Sequence, residues 1–102
     1  MELMQLEVLV AVAEESTLHK AAVRLRRTEQ GVGAAIRKLE GEVGMALFET
    51  ANGRQLHLTD AGEELVDYAR RMLSLRDQAL TAVADVRATK RGVAKSARRG
   101  EC

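Results

Sequence analysis

The segment at residues 18–40, LHKAAVRLRRTEQGVGAAIRKLE, constrains the fold more than any other part of the chain. It predicts two short helices separated by a tight break. The first helix runs from Leu18 to about Arg26, and the second starts at Thr28, whose hydroxyl can accept a hydrogen bond from a free backbone N–H of the first helical turn. This spacing is that of a helix-turn-helix.

The second helix of this pair has an inner and an outer face. Apolar residues recur at helical spacing on the inner face, at Val32, Ile36 and Leu39. The residues left for the outer face are Glu29, Gln30, Gly33 and Arg37. A recognition helix needs this division, because the inner stripe holds it on the scaffold while N-terminal outer positions reach base edges in the major groove. Double-stranded DNA is therefore the leading partner.

Two further segments complete a small domain around this pair. Residues 3–15 predict a first helix with an inward stripe of Leu3, Leu6, Val10 and Ala13, and with Leu9 beside this stripe. Short apolar runs at 46–48 and 56–58 flank Asn52-Gly53, a strong β-hairpin signal because both residues tolerate positive φ. We interpret the hairpin as a wing with Arg54 at its tip, where it can reach phosphates or the minor groove.

The pattern becomes helical again from Thr59, a candidate N-cap, to about Lys90. A helix of roughly 30 residues extends ~45 Å, which is more than a three-helix core can cover. We expect its surplus apolar surface to pack in a two-fold dimer; the alternative is a helix that folds back on its own domain. The expected dimerisation residues are Leu65, Ala69, Met72, Ala79, Val83 and Val86.

The charges are distributed unevenly, although the net charge of the chain is only +1. Residues 1–15 carry acidic side chains and no basic ones, whereas basic side chains predominate in residues 16–40. The basic excess thus lies on the predicted DNA-reading unit. We expect base-facing positions at Thr28, Glu29, Gln30 and Gly33, with phosphate or wing contacts from Lys20, Arg37, Lys38 and Arg54.

Several classes of protein do not fit the composition. No apolar run reaches the ~18 residues of a membrane span and Glu2 and Glu7 interrupt the start, so we expect a cytoplasmic protein without a secretory signal. The single cysteine, Cys102, cannot form an internal disulfide. His19 and His57 have no ligand partners at metal-binding spacing, and we interpret His19 as an exposed bystander. We therefore expect no enzyme activity, no metal and no cofactor.

The order and spacing of several short motifs resemble the N-terminal DNA-binding region of LysR-type transcriptional regulators. The motifs are AVAEEST, Ala21-Ala22 with Leu25, IRKLE from Ile36 to Glu40, Glu42-Val43-Gly44, Leu47-Phe48-Glu49, Leu58-Thr59 and Ala61-Gly62. The resemblance covers nearly all of residues 1–90. It implies a mainly α fold, a winged helix-turn-helix of three helices and a short β-hairpin wing followed by a long dimerisation helix, which binds operator DNA.

The expected organisation has three parts. Residues 1–58 form the winged helix-turn-helix DNA-binding domain, residues 59–90 form the linker and dimerisation helix, and residues 91–102 form a basic flexible tail. Members of this family normally continue into a large effector-binding domain, so no effector pocket is predicted in this chain. The basic tail favours a stand-alone regulator over a piece of a longer protein.

The recognition helix departs from the family pattern. Where the family usually has Ser-Gln-Pro-Ala-Leu-Ser, residues 28–33 read TEQGVG, which removes much of the polarity of the reading surface. Glu29 can still accept a hydrogen bond from a cytosine amino group, and Gln30 can read adenine. Two functions follow: a sequence-specific regulator that acts as a homodimer, with tetramers as a further option, or a protein-interaction or mixed-dimer adaptor with degenerate DNA reading.

Overall fold

The computed structural model describes residues 1–92, with the side chains of residues 91 and 92 left aside. In this part of the chain the elements follow in the order α1 (Leu3–Glu15), α2 (Leu18–Leu25), α3 (Glu29–Val43), β1 (Phe48–Asn52), β2 (Gln55–Leu58) and α4 (Asp60–Gly92). The mainly α, winged helix-turn-helix fold with a long final helix is therefore confirmed. Of the expected tail, residues 93–102 lie outside the described residues.

Side-chain caps mark the beginning of both helices of the helix-turn-helix. The Thr17 hydroxyl accepts the backbone N–H of Lys20 at 3.1 Å and so caps α2. The Thr28 hydroxyl accepts the N–H of Gly31 at 2.9 Å, which confirms Thr28 as the cap of α3. Arg26 adopts a left-handed conformation with φ 58° and ends α2. The break between the helices therefore lies where the sequence predicted it.

Helix α1 lies at the centre of the domain, between the helix-turn-helix on one side and α4 on the other. Its middle turns are consequently buried on nearly every side. The buried residues are Gln5, Leu6, Val8, Leu9, Val10, Ala11 and Val12. The expected single inward stripe is wrong in two respects: Leu3 is 41% exposed at the start of the helix, and Val8 and Val12 are as buried as the stripe residues. A helix that is covered on two sides has no solvent-facing half in its middle turns.

The wing is an antiparallel pair in which Phe48 lies opposite Leu58. Asn52 still pairs with Gln55, so the two turn residues are Gly53 and Arg54, one position later than the Asn52-Gly53 signal indicated. Gly53 provides the positive φ, 58°, and Arg54 lies at the tip as expected.

A backbone hydrogen bond fixes the wing to the rest of the domain. The N–H of Leu56 donates to the carbonyl of Ser16, in the turn between α1 and α2, at 2.8 Å. The wing therefore has a defined position beside the first turn of α2.

The beginning of α4 is held tightly against the segment that precedes the wing. The Thr59 hydroxyl accepts the N–H of Gly62 at 3.0 Å and donates to the Ala46 carbonyl at 2.7 Å, which confirms Thr59 as the cap. Its backbone N–H donates to the Leu47 carbonyl at 2.9 Å. A Cβ on residue 62 would lie only 2.1 Å from that same carbonyl oxygen, so the close approach requires glycine.

The first half of α4 packs on its own domain rather than on a partner. Ala69 is fully buried in the core, so its assignment to the dimerisation stripe is wrong. Leu65 is half-buried and packs against the core. Val66 and Leu73 lie on the same inward side. The expected alternative, a helix folded back on its domain, thus holds for these turns, because α4 runs alongside α1 before it extends further.

Ion pairs reinforce the contact between α1 and its neighbours. Glu14 accepts hydrogen bonds from Arg24 of α2 at 2.8 Å and from Arg70 of α4 at 3.0 Å, which lowers the pKa of the Glu14 carboxyl. Further along, Arg76 donates to Glu7 at 2.7 Å. These pairs fasten the helix-turn-helix and the long helix to the same central element.

On the side that faces away from the domain, and further along its length, α4 presents apolar side chains to solvent. The exposed or half-exposed large ones are Tyr68, Met72, Leu75, Leu80, Val83 and Val86. Leu75 and Val83 have 64% and 66% of their surface exposed. Within residues 1–92, no helix is both long and apolar enough to cross a membrane. The surplus apolar surface predicted for the long helix is therefore present, although it begins later than expected.

Candidate nucleic-acid interface

The first turns of α2 and α3 and the tip of the wing surround one open cleft of about 230 Å³. The helices contribute Thr17, Leu18, His19 and Glu29, and the wing contributes Thr50, Gly53, Arg54 and Leu56. The cleft shows that the beginning of the recognition helix and the wing tip lie on the same side of the molecule. A duplex that receives the first turns of α3 can then also meet Arg54.

A side-chain contact links the beginning of α3 to α2. Nδ1 of His19 lies 2.9 Å from Oε2 of Glu29, and both side chains remain largely exposed. His19 was interpreted as an exposed bystander; it is exposed, and it contacts Glu29. Its partner lies ten positions along the chain on the next helix, so no local sequence signal could have revealed the contact.

The outer face of α3 is formed by residues at helical spacing. Gln30, Ala34 and Arg37 are all exposed and lie on one side of the helix. Lys38 is also exposed and lies next to this face. Ala34 contributes no hydrogen-bonding group, so polar reading from this face depends on the residues around it.

Gly33 does not belong to the outer face and was placed there wrongly. It is buried, and a Cβ at this position would lie 3.4 Å from Nη1 of Arg37 and 3.7 Å from Cδ1 of Leu18. The reason is geometric: residue 33 follows the inward-facing Val32 by only about 100° of helical rotation, which turns it towards α2. Its lack of a side chain allows Leu18 and Arg37 to cover it.

Cations on the helix-turn-helix and the wing are not neutralised by neighbouring acids. Within residues 1–92, no acidic side chain forms an ion pair with any of four cations: Lys20, Arg37, Lys38 and Arg54. Each of the four is exposed. Positive charge is therefore available for phosphates on the elements that carry α3 and the wing.

The described residues hold no group of three or more His, Cys, Asp or Glu side chains that could bind a metal ion. The interface is built from backbone caps, free cations and a few polar side chains. Such a surface suits the recognition of a polyanion.

The fold and this interface define a winged helix-turn-helix protein whose long final helix follows the wing. Residues 3–63 match the family described as bacterial regulatory helix-turn-helix protein, lysR family. The chain therefore belongs to the lysR family of bacterial regulatory proteins, as its motifs indicated.

Curated relatives support this assignment. The chain is 41% identical over 87 residues to the HTH-type transcriptional regulator CfxR of Cupriavidus necator, and 42% identical over 79 residues to the HTH-type transcriptional regulator YofA of Bacillus subtilis. These matches cover 82% and 78% of this chain but only 27% of each relative. The chain thus spans about a quarter of the length of these relatives. Because they are transcription regulators, the expectation that the chain is not an enzyme is confirmed.

Solved structures confirm the fold. The BenM DBD/catB site 1 DNA complex superposes with a TM-score of 0.80 at 34% identity, covering 84% of this chain and 94% of that one. The CbnR DBD–DNA complex gives 0.79 at 31% identity, covering 84% and 98%. Both of these crystal structures are complexes with DNA.

Proposed function

We propose that this chain is a transcription regulator that binds double-stranded operator DNA sequence-specifically as a homodimer in the cytoplasm. The observation that carries the proposal is the cleft shared by the first turns of α2 and α3 and the wing tip, with free cations on the same elements. Residues 1–58 then form the DNA-reading unit, and residues 59–90 join two protomers. The DNA complexes of BenM and CbnR support the choice of partner.

The proposed DNA contacts divide into base-facing and phosphate-facing groups. Thr28, Glu29 and Gln30 lie at the start of α3, the end that enters the major groove in helix-turn-helix proteins. The unpaired N–H groups and the positive end of the helix dipole at this terminus also favour phosphate. Lys20 and Lys38 provide flanking phosphate contacts, while Gly33 acts only through packing.

The proposed dimer surface is the exposed stripe along α4, without Ala69, which is buried in the domain, and Leu65, which packs against the core. Its members, spaced by threes and fours, are Tyr68, Met72, Leu75, Ala79, Val83 and Val86. This spacing forms a continuous apolar seam of the kind that pairs two helices. From the first to the last member the stripe extends ~27 Å. A two-fold axis across this seam would present one recognition helix to each half of a palindromic operator.

The test is a selection of genomic DNA fragments with the purified protein, followed by fluorescence anisotropy on an enriched duplex and a scrambled one at two salt concentrations. We expect an approximately palindromic motif, bound far more tightly than the scrambled duplex, and an affinity that falls steeply as salt increases. An intact dimer that binds every duplex equally at low salt would contradict the proposal.

A mixed-dimer adaptor is the second candidate, and the composition of the outer face favours it. Gly31 and Ala34 are exposed on the recognition helix and offer no side-chain hydrogen bond. An adaptor would pair with a longer relative through α4 and bind no duplex specifically. Leu75→Glu would then abolish co-purification with that relative, while DNA selection with the unmodified protein would enrich no motif.

A further inference from the structure

We propose that Arg37 reads a guanine in the operator and that the absence of a long side chain at residue 33 makes this possible. The inference rests on the proposed function, since it specifies which base the same interface selects. Arg37 would otherwise be one of several phosphate-binding cations.

The guanidinium of Arg37 lies over Gly33, one helical turn nearer to the beginning of α3. Its Nη1 is 3.4 Å from the position that a Cβ on residue 33 would occupy. Cδ1 of Leu18 is 3.7 Å from the same position. Side chains on a helix point towards its N-terminus and cover the preceding turn. The size of the residue four positions earlier therefore decides how closely such a side chain can approach the helix backbone. A Cβ at residue 33 would be in ordinary van der Waals contact with Nη1 of Arg37, whereas a longer side chain would occupy the space of the guanidinium.

This placement moves the charged group into the part of the helix that reaches bases. Four residues of helix correspond to ~6 Å of rise. The guanidinium therefore lies at the level of the fifth residue of α3, although its Cα belongs to the ninth. N-terminal positions of a recognition helix contact base edges, whereas positions further along contact the backbone of the duplex.

The guanidinium is also free to make a specific contact. Within residues 1–92 Arg37 has no ion pair and no side-chain hydrogen bond, and its side chain is exposed. A planar fork of N–H donors matches O6 and N7 of guanine in the major groove. A lysine ammonium can also contact both acceptors, but it is a point charge without the fixed fork geometry, so the exchange is not conservative at such a site. Ala34, exposed on the same face, leaves room for the fork to approach the base edge.

The decisive experiment compares Arg37→Lys with the unmodified protein, on the motif that the unmodified protein selects and on duplexes in which each guanine is replaced in turn. The unmodified protein should lose about 5- to 150-fold in affinity when the critical guanine pair is changed, the range of one good bidentate contact. Arg37→Lys keeps the charge, so it should bind the changed duplexes as before but lose most of its preference for guanine at that one position.

Two further variants separate base reading from charge and from folding. Lys38→Ala, at the adjacent exposed position, should weaken binding to all duplexes by a similar factor and leave the guanine preference intact. Gly33→Gln fills the space under the guanidinium and should reduce the guanine preference as Arg37→Lys does. Thermal unfolding of each variant checks that the domain is still folded.

The outcomes distinguish this inference from the proposed function. If the unmodified protein selects no motif, the proposed function fails. If it selects a motif and the guanine preference survives both in Arg37→Lys and in Arg37→Ala, which has no donor at this position, Arg37 is a phosphate contact and the inference is overturned. If Arg37→Lys loses the preference but Gly33→Gln keeps it, the role assigned to Gly33 is overturned.

Discussion

Replacement of Gly62 by alanine is the substitution that the start of α4 should tolerate least. The added Cβ would lie 2.1 Å from the carbonyl oxygen of Leu47 and 2.9 Å from Cδ2 of Leu58. The leucine methyl can rotate away, but the carbonyl belongs to the main chain and accepts the N–H of Thr59 at 2.9 Å. Relief of the clash therefore requires α4 or the segment before the wing to move.

The expected cost follows from three contributions. Inserting a methyl group into a close-packed contact costs about 1–3 kcal/mol, and the upper end applies because the obstructing atom is backbone. Weakening the hydrogen bond from Thr59 to Leu47 adds about 1 kcal/mol. Alanine regains about 1 kcal/mol of helix propensity over glycine. The net loss for Gly62→Ala is about 3 kcal/mol, which lowers the Tm of a domain of this size by roughly 12–24 °C.

A matched control is available in α3. Gly41 is also helical, but it is exposed and no atom lies within 4 Å of a Cβ built on it. Gly41→Ala therefore gains only helix propensity, about 1 kcal/mol, and should raise the Tm by roughly 4–8 °C. The assay is thermal unfolding by far-UV circular dichroism at one fixed protein concentration, because dissociation of a dimer makes Tm concentration-dependent.

The two glycine variants should thus shift in opposite directions. A Tm for Gly62→Ala at or above that of the unmodified protein would refute the reasoning, since it would mean that the contact between α4 and Leu47 is not close. A similar increase for both variants would reduce the role of Gly62 to helix propensity alone.

Three other predictions concern DNA binding, assembly and pH. Arg54→Ala should reduce the slope of log affinity against log salt by about 1 if the wing tip contacts a phosphate; an unchanged slope would remove this contact. Leu75→Glu should convert the dimer to monomers in sedimentation equilibrium, and a persistent dimer would place the interface elsewhere. Hydrogen bonds from Arg24 and then Arg70 lower the pKa of Glu14 from its usual value of 4.5. The stabilisation is therefore full above that value and is lost as the pH falls towards the folded-state pKa, so the stability difference between the unmodified protein and Glu14→Gln should shrink on acidification. It should be below about 1 kcal/mol, because the carboxylate is 40% exposed.

Local signals in the sequence predicted most element boundaries. The break near Arg26, the caps at Thr28 and Thr59 and the hairpin at Asn52-Gly53 each depend on a few consecutive residues. Backbone conformation and capping are decided within one turn of chain, so a single sequence carries this information. The residual error, one position in the wing turn, is of the same local kind.

Contacts between elements could not be obtained in this way. The contact between His19 and Glu29 joins two helices. It depends on the angle between these helices, which the periodicity of either helix does not predict. Gly33 was assigned to the outer face by spacing alone, yet it lies on the boundary where the approach of α2 decides between burial and exposure. Residues at the edge of an amphipathic face are the ones whose environment helix periodicity leaves undetermined.

The sequence by itself determined the helix-turn-helix, the wing, the long last helix and the family, because these depend on local propensity and on the order of short motifs. Only the tertiary structure decided which side of α4 belongs to the domain and which is left for a partner. Leu65 and Ala69 are as apolar as Met72 and Val83, and all four fit one helical stripe in the sequence. Their different environments arise because α1 covers only the first turns of α4, where Gly62 allows the helix to lie close to the domain.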